Sequence, residues 1–474
     1  LRPTPADFSK NAAAALADAG LQEALSGLPA GLAAARERAK AALPEFEALR
    51  RTGRDIKDHT LANLDLYLEA FERNATAAGT QVHWAASAGD ACEIIGKICR
   101  DADARLVAKG KSMVSEEINL AAYLQTSGLE VVETDLGEYL VQIRDELPSH
   151  VIAPAIHLGP ADIEATFRAR HHHLPRDRPL ASPEALVAEA RAVLRDTFLT
   201  ADVGITGANF LVAATGSTLL VTNEGNGDLT QSLPKVHIVV ASIEKVVPTL
   251  NDAFALLRLL ARSATGQDCA NYTTLVTGPR RAGDPDGPEV CHIVLVDNGR
   301  AELLGSEFRA ALRCIRCGAC MNVCPVYGAI GGHPYGSVYP GPIGAVFTPV
   351  LAGLPQAASL PQASTFCGRC EEVCPVEIPL VRLMRQWRKA ALAQSEARRT
   401  RAALRIWAFF AARPWLYHRA ARLVVALLGA CGRRRGALRR WPLASGWTRH
   451  RDLPAPQGHT FQQLWARRQG RSTP

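Results

Sequence analysis

The chain is 474 residues long, with 47% hydrophobic content, 21% charged residues and a formal net charge of +8. That length suits roughly three globular domains, and the composition excludes a disordered tail or a mini-protein. The charge is uneven: residues 381–474 carry 21 Lys and Arg against Glu396 and Asp452, so residues 1–380 are net acidic.

Leu1–Asp7 has no basic patch followed by an apolar run, so neither a secretory leader nor a membrane anchor is expected there, and the default compartment is the cytoplasm. Residues 1–75 read as a helical N-terminal extension, because apolar positions recur at helical steps, as in Leu61, Leu64, Leu66, Leu68 and Phe71. From Gln81 onward short apolar runs alternate with helical stretches. Val82–Ala85, Leu106–Ala108, Val131–Thr134, His150–Ile156 and Val236–Val240 are strand-like, and Ala88–Asp103 and Ser115–Ser127 are helical. Strand–helix alternation predicts an α/β sheet covered by helices, over residues 76–300. Arg280–Pro288 is a turn-rich loop before a closing strand at Val290–Val296, and helical Ala301–Arg313 leads into a cysteine-rich domain over 301–380. Residues 381–474 form a basic helical tail whose apolar runs, Ile406–Ala412 and Leu423–Ala430, are shorter than the ~20 residues that span a bilayer. Such a tail suits a solvated face first, and otherwise nucleic acid, the surface of an anionic membrane or an acidic partner subunit.

Twelve cysteines are present, and seven crowd between Cys314 and Cys374 with metal-ligand spacing. Cys314, Cys317, Cys320 and Cys324, followed by Pro325, make a full C-x2-C-x2-C-x3-C-P motif. Cys367, Cys370 and Cys374, followed by Pro375, make C-x2-C-x3-C-P, with Ser364 where a complete motif has its first cysteine. In two-cluster ferredoxins the last cysteine of each motif serves the other cluster. By that crossing, Cys314, Cys317, Cys320 and Cys374 are expected to hold a 4Fe–4S cluster. Cys324, Cys367 and Cys370 then face a second cluster with three thiolates. That site is either 3Fe–4S, or 4Fe–4S with the open iron taken by Ser364, water, a substrate oxygen or a partner residue. Zinc gains nothing from the full motif, so iron–sulfur chemistry is the stronger reading. The remaining Cys92, Cys99, Cys269, Cys291 and Cys431 lack partner spacing and read as small buried apolar residues.

Between the motifs, His333–Pro349 is rich in Gly, Pro and Tyr and reads as neither helix nor simple strand. In the α/β region, the small residues of Gly204–Thr218 and Thr222–Leu229 could bring backbone amides to an anion, or could simply make tight turns. Lys109-Gly110-Lys111-Ser112 lacks the upstream glycine of a P-loop. No G-x-G-x-x-G after an opening strand, nucleophile elbow or HExxH is present, and His150 and His157 read as core or edge residues. No catalytic residue is therefore assigned.

With Thr206–Thr218, Thr222–Leu229, Val276–Arg280, Tyr335–Pro349 and both cysteine motifs, the chain resembles the lactate utilisation protein B family over nearly its whole length. The resemblance implies an iron–sulfur electron-transfer subunit that works with two companion proteins in oxidation of L-lactate to pyruvate. It also implies two 4Fe–4S sites on the same seven cysteines. For the α/β portion it implies the fold shared by ribose-5-phosphate isomerase (RpiA), NagB and CoA transferases, ahead of a mainly helical ferredoxin-type domain. In this reading electrons enter from a partner's site or at the open iron of the second cluster, cross to the first, and leave to an acceptor. No nucleic acid is expected as a partner, and the basic tail suits peripheral membrane contact. Two other functions stay open: a redox-sensing scaffold whose tail binds nucleic acid, and an enzyme acting on a CoA or sugar-phosphate ligand at the Gly204–Asp228 loops.

Overall fold

Apolar runs that alternate with helices become parallel strands, because each helix returns the chain to the same end of the sheet. In the computed structural model, which describes residues 4–394, 398–439, 448 and 451–470, the strands through residue 300 are β1 (Gln81–Ala85), β2 (Leu106–Lys109), β3 (Glu130–Glu133), β4 (Val203–Gly207), β5 (Phe210–Val212), β6 (Ser217–Thr222), β7 (Val236–Ser242), β8 (Val246–Val247), β9 (Tyr272–Val276) and β10 (Val290–Val296). Six of them join in the order β1-β10-β7-β4-β2-β3, every pair parallel. In this register Ile205 of β4 lies between Lys109 of β2 and Ile238 of β7. Helices cover both faces, so the central strands are continuous apolar runs rather than alternating ones, and β4 is buried throughout. The helix Ala88–Asp101 begins at a capping box of Ser87 and Asp90 and buries Ile95 and Cys99 against the sheet. A second sheet, β8-β5-β6-β9, packs beside the first. The chain moves outward from β2 to β3, then re-enters as β4 on the opposite side of β2. The strand order reverses at that point.

The N-terminal helices share one hydrophobic core with the cysteine-rich region: Leu25, Phe46 and Leu61 belong to the same cluster of buried side chains as Cys317, Tyr327 and Tyr339. Within Phe46–Ala62, Gly53 lies so close to Leu259 of the helix Leu250–Ala264 that a Cβ would fall 2.5 Å from its methyl carbon. Two arginines of the extension also reach the second cysteine motif. Arg50 donates from Nε to the Cys374 carbonyl at 2.7 Å and from Nη2 to that of Glu371 at 2.8 Å. Arg36 donates to the Val373 carbonyl at 2.9 Å.

The chain divides into two units, Leu1–Ala391 and Leu392–Pro474. The second contains the helices Arg398–Ala411 and Pro414–Gly432 and a short pairing of Ala437 with Pro454. Among the described residues no helix is long and apolar enough to cross a membrane. Glu396 of the basic tail lies outside the described residues.

Several local expectations are corrected. His150–Ile156 is not a strand but a turn, because the His150 ring nitrogen Nδ1 accepts from the amides of both Ile152 and Ala153 at 3.1 Å and folds the chain back. The helix expected at Ser115–Ser127 breaks at Asn119, which is left-handed with φ 55°, into Met113–Glu117 and Leu120–Thr126. Ala301–Arg313 splits at Gly305 into the helix Arg300–Leu304 and a 3-10 turn, Arg309–Arg313. The Pro-rich stretch does contain a helix, Gly341–Leu351, with Pro342 in its first turn, where the missing N–H has no intrahelical acceptor to lose. Cys92, Cys99 and Cys291 are buried as expected, whereas Cys269 and Cys431 are exposed. Gly204 lies inside β4 rather than in a loop.

Candidate functional site

The two cysteine motifs fold as near-repeats. Arg316 and Phe366, immediately before Cys317 and Cys367, are both left-handed at φ 61° and 55°. Gly318 and Gly368 follow those cysteines at φ 73° and 86° and start the short helices Ala319–Asn322 and Arg369–Glu372. Successive residues of this kind turn their N–H groups toward one concavity, which suits an anionic sulfur cage. In the register of the repeat, Ser364 stands where the first motif has Cys314. Its Oγ accepts from the Phe366 amide at 3.1 Å.

Tertiary folding sorts the seven cysteines into two cavities. Cys314, Cys317, Cys320 and Cys374 line one, walled by Val151, Ile343, Val376 and Ile378. Cys324, Cys367 and Cys370 line the other, together with Ser364, Thr365 and Met384. The Ile378 amide donates to Cys374 Sγ at 3.4 Å, and the amides of Ala319, Tyr327 and Arg369 point at Cys317, Cys324 and Cys367. Burial pushes the Cys370 thiol up to about 12 and that of Cys374 to about 11. Burial, then the neighbouring Cys317, Cys314 and Cys374, push the Cys320 thiol well above its ordinary value. Thiolates packed this way repel one another unless a cationic iron–sulfur core lies between them, so the donor set fits such a group. None of the twelve cysteines is in a disulfide.

The two cavities differ in access. Cys317 and Cys374 are buried, while Cys367 is exposed, and the Arg369 amide lowers its thiol below the ordinary value.

A buried ionic chain ties the first cavity to the α/β sheet. Arg300 pairs with Glu117 at 2.7 Å and with Glu244 at 2.8 Å, each nearly fully buried. Arg316, between Cys314 and Cys317, pairs with Glu244 at 3.2 Å, and the Tyr339 hydroxyl donates to Glu117 at 2.8 Å. Although burial opposes ionisation, Arg300 and Arg316 pull the Glu244 carboxyl down to about 2. Spacing and motifs carry no sign of this ionic chain. Its members lie far apart in sequence, and the one local signal was a basic residue inside the C-x2-C loop.

The other candidates resolve into structural roles. Lys109 is buried between Glu116 and Glu133, both at 2.6 Å, and is not free to meet a phosphate. His150 bonds the Asn322 side chain at 3.0 Å, and His157 is held by Glu146 at 2.7 Å and Ser149 at 3.0 Å. Glu224 is exposed at the mouth of a cavity lined by Gly207 and Gly227.

Three family models match in succession: the LUD domain at residues 68–296, a 4Fe-4S dicluster domain at 310–378, and the C-terminal region of lactate utilisation protein B at 384–470. A protein of Shouchella clausii (strain KSM-K16) named "Lactate utilization protein B" is 44% identical over 477 residues, covering 99% of this chain and 98% of its own. An Escherichia coli (strain K12) protein, "Uncharacterized electron transport protein YkgF", is 40% identical over 478 residues, 99% of this chain and 98% of its own. A crystal structure of a DUF162 family protein from Deinococcus radiodurans aligns with a TM-score of 0.28 at 16% identity, over 49% of this chain and 98% of that one.

Proposed function

Because the chain belongs to the lactate utilization protein B family, we propose that it is the iron–sulfur electron-transfer subunit of a multi-protein system that oxidises L-lactate to pyruvate, acting with two companion proteins. In this reading Cys314, Cys317, Cys320 and Cys374 hold one 4Fe–4S cluster, and Cys324, Cys367 and Cys370 hold a second. When bound, such clusters supply one-electron transfer at a potential set by burial and by hydrogen bonds to sulfur. The protein's own part is to aim amides at the sulfurs, to exclude water from the first site with Val151, Ile343 and Ile378, and to leave the second open at Cys367. A redox partner exchanges electrons at that exposed edge.

The observation that supports this reading most is the sorting of the cysteines, with Cys374 of the second motif meeting the three of the first. The test is anaerobic iron and acid-labile sulfide analysis with EPR, with and without L-lactate and the companions. Reduction of the clusters by lactate only when the companions are present is expected. Cys374→Ala should remove the signal of the first site and spare the second, although it lies in the second motif. Zinc in place of iron, or no acid-labile sulfide, would overturn the reading.

The α/β portion is read as the fold of ribose-5-phosphate isomerase and CoA transferases, supported by a parallel sheet with a crevice at its strand ends. The basic second unit is read as a peripheral contact with the cytoplasmic face of a membrane. Trp407, Trp415 and Leu423 are each more than 60% exposed there, and no acidic residue occurs between Glu396 and Asp452.

A further inference from the structure

Beyond the helix Leu136–Ile143 the chain turns at Asp145, which is left-handed at φ 57°, and folds back so that the Ser149 amide donates to the Pro154 carbonyl at 2.9 Å. This loop lies against the segment that joins the two cysteine motifs. The Tyr327 hydroxyl donates to the Ser149 carbonyl at 2.7 Å, and a Cβ at Gly332 would fall 1.8 Å from the same oxygen. So close an approach needs glycine at 332, and it sets the next residue, His333, beside Glu146 and His157. One ligand atom from each of these three side chains lies within 4.8 Å of the other two. Side-chain rotation alone therefore brings all three onto one cation with bonds of about 2.0–2.2 Å.

Each member is also held by a group outside the three. Glu146 Oε2 is 2.7 Å from His157 Nε2, while Oε1 accepts from Arg144 Nη2 at 2.8 Å, which leaves Oε2 as the ligand atom. His157 Nδ1 is 3.0 Å from the Ser149 hydroxyl, and His333 Nε2 donates to the Leu147 carbonyl at 2.7 Å. The two rings meet edge to face, with centroids 4.4 Å apart and planes at 65°. Outer hydrogen bonds of this kind orient metal-binding imidazoles and carboxylates and raise their basicity. Two imidazole nitrogens and one carboxylate oxygen suit zinc and its first-row neighbours, whereas magnesium and calcium take oxygen ligands. None of the three residues lines either cysteine cavity.

We propose that Glu146, His157 and His333 bind one zinc-type divalent cation, with water in the remaining position. The cation takes the place of the proton shared by Glu146 and His157. It clips the loop of the α/β domain to the segment between the cysteine motifs, and it does not depend on the electron-carrier reading.

The test is calorimetric titration with Zn2+ of the full chain, purified anaerobically and washed with a chelator, with iron and acid-labile sulfide measured in the same preparations. One equivalent should bind, and excess Mg2+ should not compete. Zinc K-edge X-ray absorption of the loaded protein should show nitrogen and oxygen neighbours at about 2.0–2.2 Å with the outer scattering of two imidazoles, and no sulfur at about 2.3 Å. That readout separates this site from the cysteines. His333→Gln and Glu146→Gln should each weaken binding by about tenfold or more, with iron and sulfide unchanged. The two variants lie in different domains, so if one loses its iron and sulfide through misfolding, the other decides. Failure to take up zinc, sulfur in the zinc shell, displacement by Mg2+, or full affinity in a variant that keeps its iron and sulfide would overturn the proposal.

Discussion

Ser364 stands in the place of a cysteine, yet its backbone keeps the shape of the complete motif, with Phe366 and Gly368 repeating the left-handed angles of Arg316 and Gly318. A side chain at this position therefore reaches the same kind of cavity as Cys314 does. Ser364→Cys should supply the fourth thiolate and convert any three-iron EPR signal of the second site into that of a four-iron cluster; an unchanged spectrum would mean that the open iron is not at this corner. His237 shows a different cost. It is fully buried in β7, with Nε2 2.8 Å from the Thr206 hydroxyl, and burial lowers its imidazole to about 4 from the ordinary 6.5. The unfolded chain takes up the proton first, so the stability tied to His237 is complete above pH 6.5 and is lost as pH falls toward 4. The loss is roughly 3 kcal/mol over that window. Denaturant unfolding across it should show a shallower pH dependence in His237→Gln than in the native chain, and parallel curves would refute the assignment.

At the scale of elements, close backbone approach decides where the helices sit. A Cβ at Gly204 would fall 1.9 Å from the Thr230 carbonyl oxygen, so the helix Asn226–Ser232 can lie on β4 only because this position has no side chain. Gly204→Ala should push that helix off the strand at a cost of about 1–3 kcal/mol or more. The loss of unfolding free energy measures it, and a neutral substitution would show that the contact yields. The N-terminal helices illustrate what periodicity conveys and what it omits. Their apolar spacing marks them as helices, but nothing in it marks Arg36 and Arg50 as the groups that reach the carbonyls of Glu371, Val373 and Cys374. The helix Gly341–Leu351 was hidden for the opposite reason: Gly and Pro disfavour helix locally, and full burial of Gly341–Pro349 overrides them.

For the whole molecule, the acidic first 380 residues and the basic tail make a strongly polarised chain. The tail should carry the protein onto anionic phospholipid vesicles but not onto zwitterionic ones in a sedimentation assay. Added salt should weaken the attachment, because the charges that draw it are exposed; equal binding to both vesicles would count against membrane contact. By itself the sequence determined the family, the α/β class and the iron–sulfur chemistry, but not the strands β4, β5, β6, β8 and β9 or the breaks at Asn119 and Gly305. Those three follow from patterns carried within a turn or two of chain, namely cysteine spacing around a loop and the period of apolar residues. Only the tertiary structure decided that Arg36 and Arg50 of the N-terminal helices reach the carbonyls of the second cysteine motif. It also decided that Arg300 and Arg316 meet Glu117 and Glu244, and that a cavity opens between β2, β4 and the first cysteine loop. Each of those depends on groups far apart in sequence being buried together, and the energy of such a meeting is a property of the packed interior, not of any local run of residues.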